Sequence, residues 1–133
     1  MKTRDDIVDG TLLFLGSPSH QHYTISNLYH YLVLPYEFNR LKVFREGDEA
    51  IGLLTWAWLL PDRADQFLLG LADLTEKDYK NTKGQLWGID FISPRGKARQ
   101  LLGQAKEEHD YPDKEIYFRR LNNPSKVHKR KLK

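Results

Sequence analysis

The spacing of apolar positions changes several times along the chain. Ile7 to Leu15 is apolar at positions 7, 12, 13, 14 and 15, with Asp5, Asp6 and Asp9 early in the stretch. Acids near a helix N-terminus suit its partial positive charge, so this pattern predicts a short helix. Gly16-Ser17-Pro18-Ser19 breaks it. Ile25, Leu28, Tyr29, Leu32 and Val33 then fall on one helical face behind Thr24 or Ser26 as cap, and Pro35 is expected to end or kink that helix. Leu41 to Arg45 alternates as a strand does, Glu46 to Glu49 makes a turn, and Ala50 to Leu60 is apolar and aromatic throughout. A run of that kind predicts a central strand buried on both faces.

Pro61-Asp62 starts a helix through Leu69, and Leu74 to Asp78 resembles a capped helical turn. Leu86 to Ile92 is the next strand. A helix follows from about Lys97 to Glu108, and a last strand runs from Glu115 to Leu121. The order α-α-β-β-α-β-α-β predicts a small α/β or α+β sheet domain flanked by helices. In such a sheet a strand-to-helix junction is where a ligand is expected.

Composition narrows the function. With 133 residues, 40% of them hydrophobic, the chain is large enough for one core. The absence of cysteine removes disulfides, thiolate catalysis and cysteine-ligated zinc. No apolar run reaches the roughly 20 residues of a bilayer span, and residues 1–10 hold no signal-peptide core, so a cytoplasmic soluble protein is expected. The formal charge of +3 is uneven: Lys126 to Lys133 carries five of the Lys and Arg residues, and the body without it is slightly acidic. Residues 1–125 therefore read as the domain and 126–133 as a basic C-terminal tail. That tail is a solvated terminus or a handle for an acidic partner. Phe118-Arg119-Arg120 is too short a basic run to make a nucleic-acid face.

Two segments carry the candidate chemistry. Ser17-Pro18-Ser19-His20 places an imidazole on a loop. Trp87-Gly88-Ile89-Asp90-Phe91-Ile92-Ser93-Pro94 places one carboxylate inside an apolar strand. A base and a carboxylate to orient it can activate a nucleophile. Taken singly, each has an ordinary reading: a packed or solvated loop histidine, and a strand-end carboxylate paired with arginine or capping Ser93. His20-Gln21-His22 lacks a clear third ligand beyond His30, which argues against a metal.

These segments resemble, in order, the toxin-activating lysine acyltransferases of bacteria, the hemolysin-activating family that acts on RTX protoxins. The resemblance rests on Gly16-Ser17-Pro18 with His20, Ile25 and Leu28, Val33-Leu34-Pro35, Ile51-Gly52, and Thr55-Trp56-Ala57. It continues in Trp87, Ile89-Asp90-Phe91-Ile92, and Pro94 with Gly96, and Arg120 looks like the family's last-strand arginine. The resemblance implies a GNAT-like acyltransferase sheet and transfer of a fatty acyl group from acyl carrier protein to internal lysines of a protoxin or other protein. It implies His20 as general base with Asp90 as its orienting carboxylate, no tightly bound cofactor, and a homodimer. The family's donor and substrate contacts would map to Ser17, Trp56, Ile89, Phe91, Gly96 and Arg120. The chain departs from its relatives in stopping soon after the last strand, with a lysine-rich tail there.

The chemistry is consistent with that implication. A lysine with a pKa of about 10.4 is a free amine only about once in 2,500 at neutral pH, a deficit of about 4.6 kcal/mol. A neutral imidazole is suited to take its proton during attack on a thioester. Covalent transfer through His20 or Ser17 is the alternative. Gly96-x-Ala98 keeps part of a phosphate-binding helix start, which fits a carrier-protein donor better than acetyl-CoA or acyl-CoA. Arg95, Lys97 and Arg99 would then meet the carrier's acidic surface. Trp56, Trp58 and Trp87 are read either as core or as the lining of an acyl channel. Outside the enzyme class, the chain would be a family member that binds acyl carrier protein or another partner without turnover.

Overall fold

A computed structural model describes residues 4–109, 111, 113, 115–120 and 123–131. α1 (Arg4–Leu15) leads through a 3-10 turn (Pro18–His20) to a continuous helical path of α2 (Ile25–Leu28), a π-turn (Tyr29–Val33) and α3 (Leu34–Glu37). The strands are β1 (Leu41–Glu46), β2 (Glu49–Leu59), β3 (Gln85–Ile92), β4 (Glu115–Arg120) and β5 (Asn123–Lys131). α4 (Pro61–Leu68) and α5 (Glu76–Lys80) lie between β2 and β3, and α6 (Ala98–His109) crosses from β3 to β4. The sheet order is β1-β2-β3-β4-β5. All neighbours are antiparallel except β3 and β4, which are parallel, as the α6 crossover requires. This is the α+β sheet flanked by helices expected from the sequence.

Helices cover both faces. Leu101, Leu102 and Ala105 of α6 pack with Phe44, Leu54, Trp56 and Leu86 on one side of the sheet. On the other, Tyr31, Leu59, Phe67, Leu74, Tyr79 and Trp87 form one cluster, and Phe14, Leu32, Leu41 and Leu53 form the cluster under α1. β2 is buried from Gly52 to Leu59, which explains its unbroken apolar run.

Two local irregularities shape the second face. The β2–β3 register passes from Thr55↔Asp90 to Trp56↔Gly88, so Ile89 is the extra residue of a bulge. Without the bulge, Trp87 and Asp90, three apart, would face opposite sides. With it, Trp87 and Ile89 join the cluster of Tyr31 and Phe67 while Asp90 turns toward the α1 side. The second irregularity is the π-turn ahead of Pro35. Pro35 neither ends nor breaks the helical path; it sits in the first turn of α3. The carbonyl of His30, five residues before this donor-less nitrogen, accepts instead from the Tyr79 hydroxyl at 2.7 Å.

β5 is absent from the pattern reading, which placed the basic run beyond the last strand. It pairs antiparallel with β4 from Glu115↔Lys131 to Arg119↔Val127, and Lys129 lies 3.4 Å from Glu115. Residues 132 and 133 lie outside the described residues. Its charged composition is that of an edge strand, where lysines discourage further pairing, and such a sequence carries no alternation to reveal it.

Candidate functional site

The His20 ring is delivered by local geometry. Gly16 N–H bonds back to the Leu12 carbonyl at 3.0 Å, closing α1. Pro18 then opens the 3-10 turn, and His20 N–H bonds to the Ser17 carbonyl at 3.0 Å. Thr24 ends the loop as a reciprocal cap with Asn27, at 3.1 and 2.9 Å. The ring is thus held between two helix ends and is only 5% exposed.

His20 Nε2 lies 2.9 Å from Asp90 Oδ1, across 70 residues of sequence. Asp90 is buried, and its backbone N–H donates to Thr55 Oγ1 at 3.1 Å, which pins the bulged strand. A carboxylate can only accept here, so Nε2 carries the proton and Nδ1 is left as the basic nitrogen of the neutral ring. Nδ1 lies 2.6 Å from Ser17 Oγ. The hydroxyl therefore donates to Nδ1, and the order of the chain is Ser17, His20, Asp90. Both ring nitrogens are engaged, so His20-Gln21-His22 is not arranged as a metal pair. His22 packs edge-on against Tyr23, ring centroids 5.0 Å apart.

A fourth member, Tyr23, is missing from the sequence reading. Its hydroxyl donates to both Asp90 oxygens, at 2.9 Å to Oδ1 and 3.1 Å to Oδ2. Its ring stands edge-on to His20, with centroids 5.1 Å apart, and packs on Phe14 and Tyr31. Burial first, and the Asp90 charge second, push the Tyr23 phenol far above the ordinary tyrosine range, so it remains a donor. Its signal was its place three residues after His20 on the same short loop.

The remaining expected residues are dispersed. Ile89 is the bulge residue and is buried with Trp87. Trp56 is buried on the α6 face beside Trp58, and Phe91 packs on that same cluster, so the sheet separates both from His20. The three tryptophans divide between the two faces and line no common channel. Gly96, at φ +82°, forms the turn before α6 with open space around it, and Lys97 is paired with Glu46. The side chain of Arg120 lies outside the described residues. Its neighbour Arg119 faces the helical side of the site: its guanidinium carbon is 4.1 Å from the Phe67 ring centre, and its Nε is buried with no hydrogen-bond partner among the described residues.

A pocket of about 60 Å³ opens between α1 and α2, with Phe14, Leu15, His20, Tyr23 and Leu28 in its wall. His20, although buried, borders this pocket. Among the described residues, no three His, Cys, Asp or Glu side chains are placed to hold a metal, and no helix is long and apolar enough to cross a membrane.

Comparison with known proteins gives a family. The model of the RTX toxin acyltransferase family matches residues 8–133, a span that includes Ser17, His20, Tyr23 and Asp90. Among curated proteins, the leukotoxin-activating lysine-acyltransferase LktC of Pasteurella haemolytica-like sp. (strain 5943B) is 23% identical over 107 residues. That alignment covers 80% of this chain and 64% of the relative, so less than two thirds of the relative's length is matched.

Proposed function

This chain belongs to the RTX toxin acyltransferase family, and from that premise we propose that it moves a fatty acyl group from acyl carrier protein to internal lysines of a protoxin. The observation that carries the reading is the hydrogen-bonded series Ser17–His20–Asp90, with Tyr23 holding the carboxylate. Loop, strand and helix ends that are far apart in sequence converge on this imidazole, which borders a pocket.

In the proposed reaction the lysine nitrogen forms a bond to the thioester carbonyl carbon and the carbon–sulfur bond breaks. His20 Nδ1 takes the proton from the attacking amine, and Asp90 stabilises the resulting imidazolium through Nε2–H. The leaving thiolate recovers a proton from that ring. The Ser17 hydroxyl on Nδ1 is suited to relay the amine proton. The same 2.6 Å contact favours one second route. In it Ser17 Oγ attacks the thioester, gives its proton to Nδ1, and passes the acyl group from its ester to lysine.

The test is donor consumption with acyl carrier protein thioesters and with acetyl-CoA, read together with intact masses of protein and acceptor. Use of the carrier-protein donor with mass gain on the acceptor supports the reading; use of acetyl-CoA alone changes the donor. Binding without consumption makes the chain a non-catalytic partner of the carrier. An acyl adduct on the enzyme that Ser17→Ala lacks selects the covalent route. His20→Ala should abolish transfer with an unchanged far-ultraviolet dichroism spectrum, and full activity in that variant would sink the assignment.

A further inference from the structure

Positive and negative charge are divided along the sheet. Residues 1–114 hold fourteen Lys and Arg against seventeen Asp and Glu, a net −3. Residues 115–131, which form the antiparallel β4–β5 ribbon, hold six Lys and Arg against the single Glu115, a net +5. The positive charge of the chain is thus concentrated on the last hairpin of the fold.

Several cations of the body are answered by acids. Lys42 pairs with Glu108 at 2.6 Å, Arg45 with Asp6 and Asp9 at 2.8 and 2.6 Å, Arg63 with Asp78 at 2.9 Å, and Lys97 with Glu46. In the ribbon, Arg119 lies over the Phe67 ring, and Glu115 meets Lys129 at 3.4 Å. Lys129 and Val127 stay exposed. Lys126, Arg130 and Lys131 share β5 with Lys129, and the strand contains no acid.

The place of β5 narrows what this charge suits. β5 ends the sheet, with β4 as its neighbour among the described residues. Lysines on such an edge repel a like strand, so a second copy pairing through β5 is disfavoured. A long polyanion is disfavoured too, because the net −3 of the remainder repels it. A compact partner with one acidic face meets the ribbon and avoids the rest. β3, which carries Asp90, and then β4 and β5 are consecutive in the sheet. Two strand spacings of about 4.8 Å put β5 roughly 10 Å from β3. At the start of α6, where the sequence also offers cations, Lys97 is already paired, which leaves the exposed Arg95 and Arg99.

We propose that the β4–β5 ribbon is the docking edge for the acidic carrier protein that delivers the acyl group. Its charge steers the carrier to this edge, and the carrier's prosthetic arm extends across β4 and β3 toward Asp90 and His20. This assignment rests on the reading of acyl carrier protein as donor and adds where that protein sits.

The experiment compares the wild type with Lys126→Gln/Arg130→Gln, which keeps the Lys129–Glu115 pair, and with Arg95→Gln/Arg99→Gln, each checked by dichroism. The donors are tetradecanoyl acyl carrier protein and S-tetradecanoyl pantetheine, which has no carrier surface. The ribbon variant should raise KM for the carrier donor about tenfold, with kcat and use of the pantetheine donor unchanged. An unchanged KM, an equal loss with both donors, or a larger loss in the Arg95/Arg99 variant overturns the assignment. Wild-type binding of holo-acyl carrier protein, which holds no acyl group, should weaken steeply with added salt, and binding indifferent to salt also overturns it. The same titration separates docking from the activity. Binding that the ribbon variant loses supports the ribbon even if no acyl group is transferred. Equal transfer from the carrier by wild type and ribbon variant leaves the donor reading standing and overturns the ribbon. Ribbon-dependent binding of a DNA duplex or of phosphatidylglycerol vesicles, with none of the carrier, overturns it as well.

Discussion

The Tyr23 hydroxyl donates to both carboxylate oxygens of Asp90, at 2.9 and 3.1 Å, while His20 Nε2 holds one of the same oxygens at 2.9 Å. Two donors therefore share one buried carboxylate, and Tyr23 withdraws negative charge from the group that would stabilise the protonated ring. Removing the phenol oxygen should strengthen the hold of Asp90 on that ring. Tyr23→Phe keeps the packing on His20 and Phe14, so transfer should be retained with the dichroism spectrum unchanged. A loss of activity together with a changed spectrum would assign Tyr23 to packing.

Asp90→Asn probes the same bond from the other side. The amide keeps the shape and can still accept from Tyr23, but it no longer offsets a positive ring and can stabilise the wrong tautomer. A positioned general base contributes typically about 10²–10⁴ in rate. The variant should lose activity in that range in kcat, with the donor's KM little changed and the dichroism spectrum retained. If KM rises while kcat holds, Asp90 acts in binding.

Much of this site was legible in the chain because its residues sit on local signals. Ser17-Pro18 and Thr24 mark two helix ends around His20, and Asp90 is the one acid in an apolar strand. Their meeting was not legible from periodicity, since it depends on Ile89 bulging out of register. Tyr23 was hidden for the opposite reason: an aromatic residue after a turn reads as core, and only its hydroxyl reaches the carboxylate. β5 was missed because charged edge strands lack alternation. Trp56 and Phe91 carried apolar signals that do not say which sheet face they take, and they fall on the α6 side.

The buried tyrosines set the alkaline limit of stability. Burial first, with the Asp90 charge next, raises the phenols of both Tyr23 and Tyr79 well above the usual value. In the unfolded chain they ionise near pH 10. Below that pH both states hold the proton and the full contribution is present. As pH rises further the unfolded state loses protons that the folded state keeps, so stability falls by about 1.4 kcal/mol per pH unit for each such group. Urea midpoints measured at increasing pH should be level up to about pH 10 and then drop, with ultraviolet phenolate absorbance appearing only together with unfolding. Tyr23→Phe should make the drop shallower. Phenolate absorbance that develops while the protein stays folded would contradict the burial argument.

Gly88 controls the junction of β3 and β4, the parallel pair that flanks the bulge. The described register is Trp87↔Tyr117 and Gly88↔Phe118, and a Cβ on Gly88 would come within 2.0 Å of the Phe118 ring. That ring is not free to swing away, because it packs against Phe91 with centroids 5.9 Å apart. Gly88→Ala should therefore cost about 1–3 kcal/mol, the usual range for overpacking. Activity should fall as well, since displacement of β3 at Gly88 moves Asp90 two residues on. Phe118→Leu in the same chain removes the obstructing edge and should recover most of the loss, giving a coupling energy between sites in contact. Additive losses in the double variant would place the strain elsewhere in the strand pair.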